Sequence, residues 1–193
     1  MVRLNPARVG GHWDEGFTLD RHIESSDYIG DNEYGHPQFE TKRTELGELI
    51  FRLKYRGDQT AVSTIAEAAS DFVKEWKPGI DLVVTVPPSK GRKVQPLFQI
   101  ADEVGRLLNV PVDKESVYKS KATPELKNVE RAKRLELILG AHSTKGDALR
   151  GRRILLLDDL YQTGATLNAI GRLLKESGGV SAVFVLALTR ARG

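Results

Sequence analysis

The chain has 193 residues, 40% hydrophobic and 28% charged, which is enough apolar material for one core and argues against disorder. It has no cysteine, which excludes disulfides, thiolate zinc sites, iron–sulfur clusters and cysteine nucleophiles, and fits a reducing compartment. Lys and Arg number 29 against 26 Asp and Glu, a net charge of +3, too small an excess to demand nucleic acid as a partner.

The apolar runs at 154–157 and 182–188 fall far short of the ~20 residues that span a bilayer. Residues 1–11 carry no apolar h-region, which argues against a secretory leader. The expectation is a soluble, cytoplasmic protein without a membrane partner.

Residues 1–43 are rich in Gly, His, Asp and aromatics and show little helical periodicity. A small β element is expected around Phe17, Thr18 and Leu19, after the turn-like Asp14-Glu15-Gly16. His12, His22 and His36 lie here, but their spacing matches no metal motif, so surface or satisfied histidines are the expectation.

From Thr44 the pattern changes. Leu46, Leu49, Ile50 and Leu53 predict an amphipathic helix ended by Gly57-Asp58. Val62, Ile65, Ala69, Phe72, Val73 and Trp76 predict a second helix, closed by Pro78-Gly79. Residues 80–86 read as a buried strand stopped by Pro87-Pro88. A third helix runs from Val94 through Leu108, and a faint strand is expected near Val112 or Val117-Tyr118. Residues 119–134 are polar and basic, a loop running into a helix. Residues 153–157 are a strand, 165–176 a helix and 180–188 a strand, with Gly178-Gly179 between the last two. This alternation predicts an α/β fold, a parallel twisted sheet flanked by helices on both faces.

The strongest chemical signal is Ile154-Leu155-Leu156-Leu157-Asp158-Asp159-Leu160-Tyr161-Gln162-Thr163-Gly164-Ala165-Thr166. Four apolar residues give a strand, and two carboxylates stand at its C-terminal end, where parallel sheets bind ligands. A short Thr-Gly-Ala-Thr loop then opens into a helix whose free N–H groups suit phosphate. Carboxylates repel phosphate but accept from sugar hydroxyls, and they hold Mg²⁺ directly or through water. The implied ligand has a phosphate at one end and a vicinal diol in the middle, as a ribose 5-phosphate does. A Walker B strand would need a Gly-Lys-Ser/Thr loop, and a dinucleotide fold a G-x-G-x-x-G after its strand; neither occurs. A capped helix start with no ligand is the remaining bland alternative.

Residues 154–166 resemble the phosphoribosyl pyrophosphate (PRPP) motif of type I phosphoribosyltransferases, and within them the ComF-like competence-protein family. Leu167-Asn168 fits the same pattern. Val86-Pro87-Pro88-Ser89-Lys90 with Arg92 resembles the family's pyrophosphate loop. Leu53-Lys54-Tyr55-Arg56-Gly57-Asp58 resembles a family helix end, and Thr123-Pro124-Glu125 part of its mobile loop. The family commonly carries a four-cysteine zinc module at its N-terminus; a chain without cysteine lacks it or replaces it, so no zinc is expected.

The resemblance implies a division into an N-terminal hood, 1–43, and a phosphoribosyltransferase-like domain, 44–193. It implies transfer of a 5-phosphoribosyl group from PRPP to an unidentified nitrogen acceptor, with Mg²⁺ bridging substrate oxygens. Thr163, Gly164, Ala165 and Thr166 would hold the 5-phosphate. Asp158 and Asp159 would be the catalytic acids that meet the ribose hydroxyls and hold the metal, mostly indirectly. Pro88, Ser89, Lys90 and Arg92 would take the pyrophosphate. Lys119, Lys121 and Lys127 are candidates for a closing lid; a solvated helix face is the alternative, and a nucleic-acid surface a third. Arg150, Arg152 and Arg153 precede the motif strand and are expected as surface charges. Trp13, Phe17, Tyr28, Tyr34 and Phe39 either stack on an acceptor base or pack the N-terminal element onto the sheet. The same resemblance allows a non-catalytic PRPP- or nucleic-acid-binding factor, and a homodimer.

Overall fold

The computed structural model describes residues 2–88, 95–120, 140–145 and 147–191. The chain begins with β1 (Ala7–Arg8) and β2 (Glu15–Arg21), then a ribbon of β3 (Ile23–Asp31) and β4 (Pro37–Arg43). Helix α1 (Glu45–Phe51) starts at Thr44, whose hydroxyl accepts from the Gly47 N–H at 3.1 Å, a side-chain cap. It runs on into a π-turn, Arg52–Arg56, closed by Gly57 at φ 68. Then come α2 (Ala61–Trp76), β5 (Leu82–Thr85), α3 (Pro96–Leu108), β6 (Val112–Asp113) and β7 (Val117–Lys119). The last elements are β8 (His142–Thr144), β9 (Arg153–Tyr161), α4 (Ala165–Glu176) and β10 (Ala182–Arg190).

Six strands form one sheet in the order β1-β2-β10-β9-β5-β6. Only β1 and β2 pair antiparallel; the other four ladders are parallel. The sheet is therefore mixed but mostly parallel, with the antiparallel pair at one edge. All of β5 is buried, as is β10 from 182 to 189. Alternate residues of a strand face opposite sides, so both faces of this sheet are covered. Helix α2 buries Ile65, Ala66, Ala69 and Val73, and α3 buries Leu97, Ile100, Ala101 and Val104, the stripes their periodicity predicts.

Several elements differ from the sequence reading in extent. The strand expected at 153–157 continues to Tyr161. Its partner β10 pairs with it as far as Arg190 opposite Tyr161, so neighbour pairing overrides the poor strand propensity of two aspartates. The sequence predicts one faint strand, near Val112 or Val117-Tyr118; short strands form at both places. Among the described residues no helix is long and apolar enough to cross a membrane.

From β5 the chain moves through α3 to β6 on one side, and from β9 through α4 to β10 on the other. Strand order thus reverses between β5 and β9. Right-handed crossovers in opposite directions place α3 and α4 on opposite faces, and the crevice between such strands is where open α/β sheets bind ligands.

The aromatic residues of 1–43 divide. Trp13 is buried, with its Nε1–H donating to the Val9 carbonyl at 2.9 Å. The Phe17 ring packs edge-on against Trp76 at 5.0 Å and Phe72 at 5.3 Å, and Trp76 reaches Phe184 at 5.7 Å. These two residues are wall, not ligand platform. Tyr28, Tyr34 and Phe39 are exposed on the ribbon, where Tyr28 and Phe39 pair across strands at 5.8 Å.

Candidate functional site

The site grows from the C-terminal end of β9. Its first half is held on both sides, Leu157 pairing with Thr85 of β5 and with Leu186 of β10. The Val86 N–H still reaches the Leu157 carbonyl at 3.0 Å, and there the β5 ladder stops. From Asp158 to Tyr161 the strand keeps β10 but, among the described residues, has no strand on its β5 side. The acids therefore sit on the strand itself, beside an edge that no described strand pairs.

A cavity of about 120 Å³ opens there, lined by Asp158 and residues 160–167. Gly164 shapes it. Its φ is 73, and a Cβ there would lie 2.6 Å from the Tyr161 hydroxyl, so both the backbone turn and the close tyrosine require glycine. Helix α4 begins at the next residue, and its first-turn N–H groups face no earlier turn of the helix. Asn168 ties this start down: its Nδ2–H donates to the Gly164 carbonyl at 2.9 Å, and its Oδ1 accepts from the His12 N–H at 3.0 Å.

The two acids have different surroundings. Burial pushes the Asp158 carboxyl up to about 7, and the neighbouring Asp159 adds to the rise. The Asp159 N–H, which donates to Asp158 Oδ1 at 2.8 Å, and Lys54 pull the other way. Asp159 has its own cation: Lys54 Nζ lies 2.8 Å from its Oδ2. Behind it, the Thr189 hydroxyl donates to the Asp159 carbonyl at 3.0 Å and lies 3.1 Å from His22 Nδ1. Since that hydroxyl spends its proton on Asp159, its oxygen accepts and Nδ1 carries the hydrogen. Burial, Arg43 and Lys54 hold the His22 pKa below the ordinary histidine range.

Asp158, Thr163, Gly164, Ala165 and Thr166 thus meet around one cavity, with Asp159 beside it. Pro88 is described, three residues past β5, and is not among the residues lining that cavity. Ser89, Lys90, Arg92, Lys121 and Lys127 lie outside the described residues, as do Thr123-Pro124-Glu125. Lys119 ends β7, opposite His142 of β8, in a separate two-stranded ladder. The Ser120 N–H bonds the Ala141 carbonyl at 2.9 Å, so the chain leaves and re-enters this ladder at one place. Arg153 is exposed and donates to the carbonyls of Gly79 and Pro78 at 2.5 and 2.6 Å, at the strand end remote from the acids.

Sequence reasoning missed Lys54, His22 and Thr189 as neighbours of the acids. The available signal was a basic run closed by Gly57-Asp58 after an apolar helix. His22 and Thr189 are marked by nothing local.

Among the described residues, no group of three or more His, Asp or Glu gathers as a metal site. With an ammonium on one oxygen of Asp159 and an N–H on one of Asp158, the donor set fits Mg²⁺ held mainly through water and ligand oxygens.

Residues 58–193 match the model of the phosphoribosyl transferase domain, and the chain belongs to that family. It is 31% identical over 143 residues to the adenine phosphoribosyltransferase of Leuconostoc citreum (strain KM20), covering 71% of this chain and 73% of that one. It is 30% identical over 154 residues to the competence protein ComFC of Bacillus subtilis (strain 168). That match takes in 76% of this chain but spans only 60% of the relative's length. Among solved structures, the adenine phosphoribosyltransferase of Leishmania tarentolae aligns with a TM-score of 0.48 at 11% identity, over 96% of this chain and 94% of that one.

Proposed function

We propose that the protein binds PRPP and transfers its 5-phosphoribosyl group to a nitrogen nucleophile, releasing pyrophosphate. The observation that carries this reading is the cavity at the strand-order reversal, with Asp158 in its wall, Asp159 beside it and the helix start at Gly164 lining it as well. Thr163, Gly164, Ala165 and Thr166 hold the 5-phosphate through backbone N–H groups and hydroxyls. Asp158 and Asp159 take the ribose hydroxyls. Pro88, Ser89, Lys90 and Arg92 follow β5 and receive pyrophosphate, and Lys119, Lys121 and Lys127 belong to the segment that closes over it.

In the transfer, the C1–O bond breaks with its electron pair leaving on pyrophosphate, the nitrogen lone pair forms C1–N, and the nitrogen's proton passes to solvent. C1 becomes cation-like, so the protein's task is electrostatic placement, and no protein nucleophile is called for. Mg²⁺, when bound, neutralises charge on the leaving group.

Within residues 1–43, β1 and β2 belong to the main sheet and the β3–β4 ribbon acts as the hood over domain 44–193. The ribbon leaves β2 at the same end of the strands from which Asp158 and Asp159 rise, since Arg21 aligns with Arg190 and Arg190 with Tyr161. Its exposed Tyr28, Tyr34 and Phe39 offer the stacking surface for an acceptor base. The reading places the protein with PRPP, in the cytoplasm.

Likeness to a competence protein favours a second reading, a PRPP- or nucleic-acid-binding factor without transfer. One experiment separates the two: a pyrophosphate-release screen of nucleobases and ammonia with PRPP and Mg²⁺, beside calorimetric PRPP binding to wild type, Asp158→Asn and Asp159→Asn. Release with one acceptor establishes transfer. Binding without release, together with salt-dependent DNA affinity, favours the second reading. Absence of wild-type PRPP binding sinks the first reading and leaves only the nucleic-acid form of the second, which salt-dependent DNA affinity tests.

A further inference from the structure

The acid pair has a resident cation supplied from a distant part of the chain. Lys54 Nζ is 2.8 Å from Asp159 Oδ2, and both side chains are only 22% exposed. Lys54 rides on the π-turn Arg52–Arg56, a rare geometry that recurs at functional sites. The turn is locked at its exit. The Gly57 N–H bonds the Arg52 carbonyl, the Asp58 N–H reaches the same carbonyl at 3.2 Å, and the Asp58 carboxylate pairs with the Arg52 guanidinium. Leu53, 3% exposed, anchors its inner side. Asp159 is equally fixed from behind by the Thr189 hydroxyl on its carbonyl.

An ammonium on Oδ2 commits one carboxylate oxygen and leaves Oδ1 for the ligand. A carboxylate held in this way cannot grip a bare cation with both oxygens. It can accept from a neutral hydroxyl, its charge already balanced. We propose that Lys54 is a positioning residue that orients Asp159 as acceptor for one ribose hydroxyl, and so sets the selectivity of the site for a ribose diol. The proposal rests on the reading of the acid pair as the diol site.

The test is calorimetric binding of ribose 5-phosphate, 2-deoxyribose 5-phosphate and xylose 5-phosphate, the last with its 3-hydroxyl inverted. Wild type, Lys54→Met and Lys54→Gln are compared, each checked for folding by circular dichroism. Wild type is expected to favour ribose 5-phosphate at least tenfold over one altered sugar, the scale of a hydrogen bond to a charged acceptor. Both variants should bring that ratio below threefold, while affinity for the altered sugar stays within threefold of wild type, because the phosphate loop is untouched. Lys54→Gln, which keeps the stem and a donor, provides the reading where Lys54→Met does not fold. A ratio that survives in the variants overturns the proposal, and so does a parallel loss of all three sugars, the mark of a merely structural lysine. A wild type that binds all three equally overturns the diol site itself and takes this assignment with it; that failure is visible before any variant is made.

Discussion

The Asn168 side chain donates to the Gly164 carbonyl at 2.9 Å and in the same pose accepts from the His12 N–H at 3.0 Å. The residue that opens the cavity is thereby tied to the N-terminal strap. Asn168→Ala removes both bonds and is expected to cost about 1–2 kcal/mol, read from urea unfolding. Unchanged stability would show that water replaces both partners at no cost.

Gly164→Ala meets two obstacles, a φ of 73 and a Cβ 2.6 Å from the Tyr161 hydroxyl. Stability should fall by about 1–2 kcal/mol, and binding of ribose 5-phosphate should drop beyond detection by calorimetry. Retained sugar-phosphate binding would place the phosphate elsewhere.

Asp158 predicts a pH dependence with a definite sign. Its carboxyl titrates near 7 in the folded protein against an ordinary 3.8. Between those values the folded state holds a proton that the unfolded state has released. The stability this provides is full below pH 3.8 and is lost as pH rises through 7. Asp158→Asn lacks the loss, so it should gain on wild type by about 2–4 kcal/mol between pH 4 and pH 8. Urea melts at both pH values, without Mg²⁺ or ligand, measure the difference; parallel curves would place the titration elsewhere.

The ribbon aromatics should separate acceptor binding from folding. Tyr28→Ala with Phe39→Ala removes an exposed pair, so stability is expected to change by less than about 1 kcal/mol. PRPP binding should persist, and the KM for the acceptor found by the pyrophosphate screen should rise at least tenfold. Trp13→Ala should do the reverse, costing about 3–5 kcal/mol because that ring is buried. An unchanged acceptor KM in the ribbon variant would remove the hood from the ribbon.

What could be read from the sequence was what is encoded locally. The stripe of Ile65, Ala69, Val73 and Trp76 marks a helix whatever it packs on, and four apolar residues before Asp158 mark a buried strand. The reversal of strand order is a property of partners, and no local pattern announces that β2 will lie beside β10. The same limit hid the end of β9, whose last four residues are held by a neighbour rather than by their own propensity. Lys54 escaped for a related reason. A period of 3.6 carries straight through Leu53, whereas the π-turn adds a residue and changes which side chain faces Asp159. By contrast, the thirteen residues at 154–166 hold nearly all of the cavity wall in consecutive order, so this candidate site lies within a single stretch of sequence.

The ladder between β5 and β9 ends at Thr85 and Leu157, while that between β10 and β9 continues to Arg190 and Tyr161. Among the described residues, the notch beside Asp158 to Tyr161 is therefore a gap left by a short neighbour, as a missing plank leaves a slot in a floor. Its depth depends on how far β5 extends, a length set by Pro87-Pro88 and by no residue of the cavity wall. Changing Pro87 would alter where β5 stops while leaving every residue that lines the cavity in place.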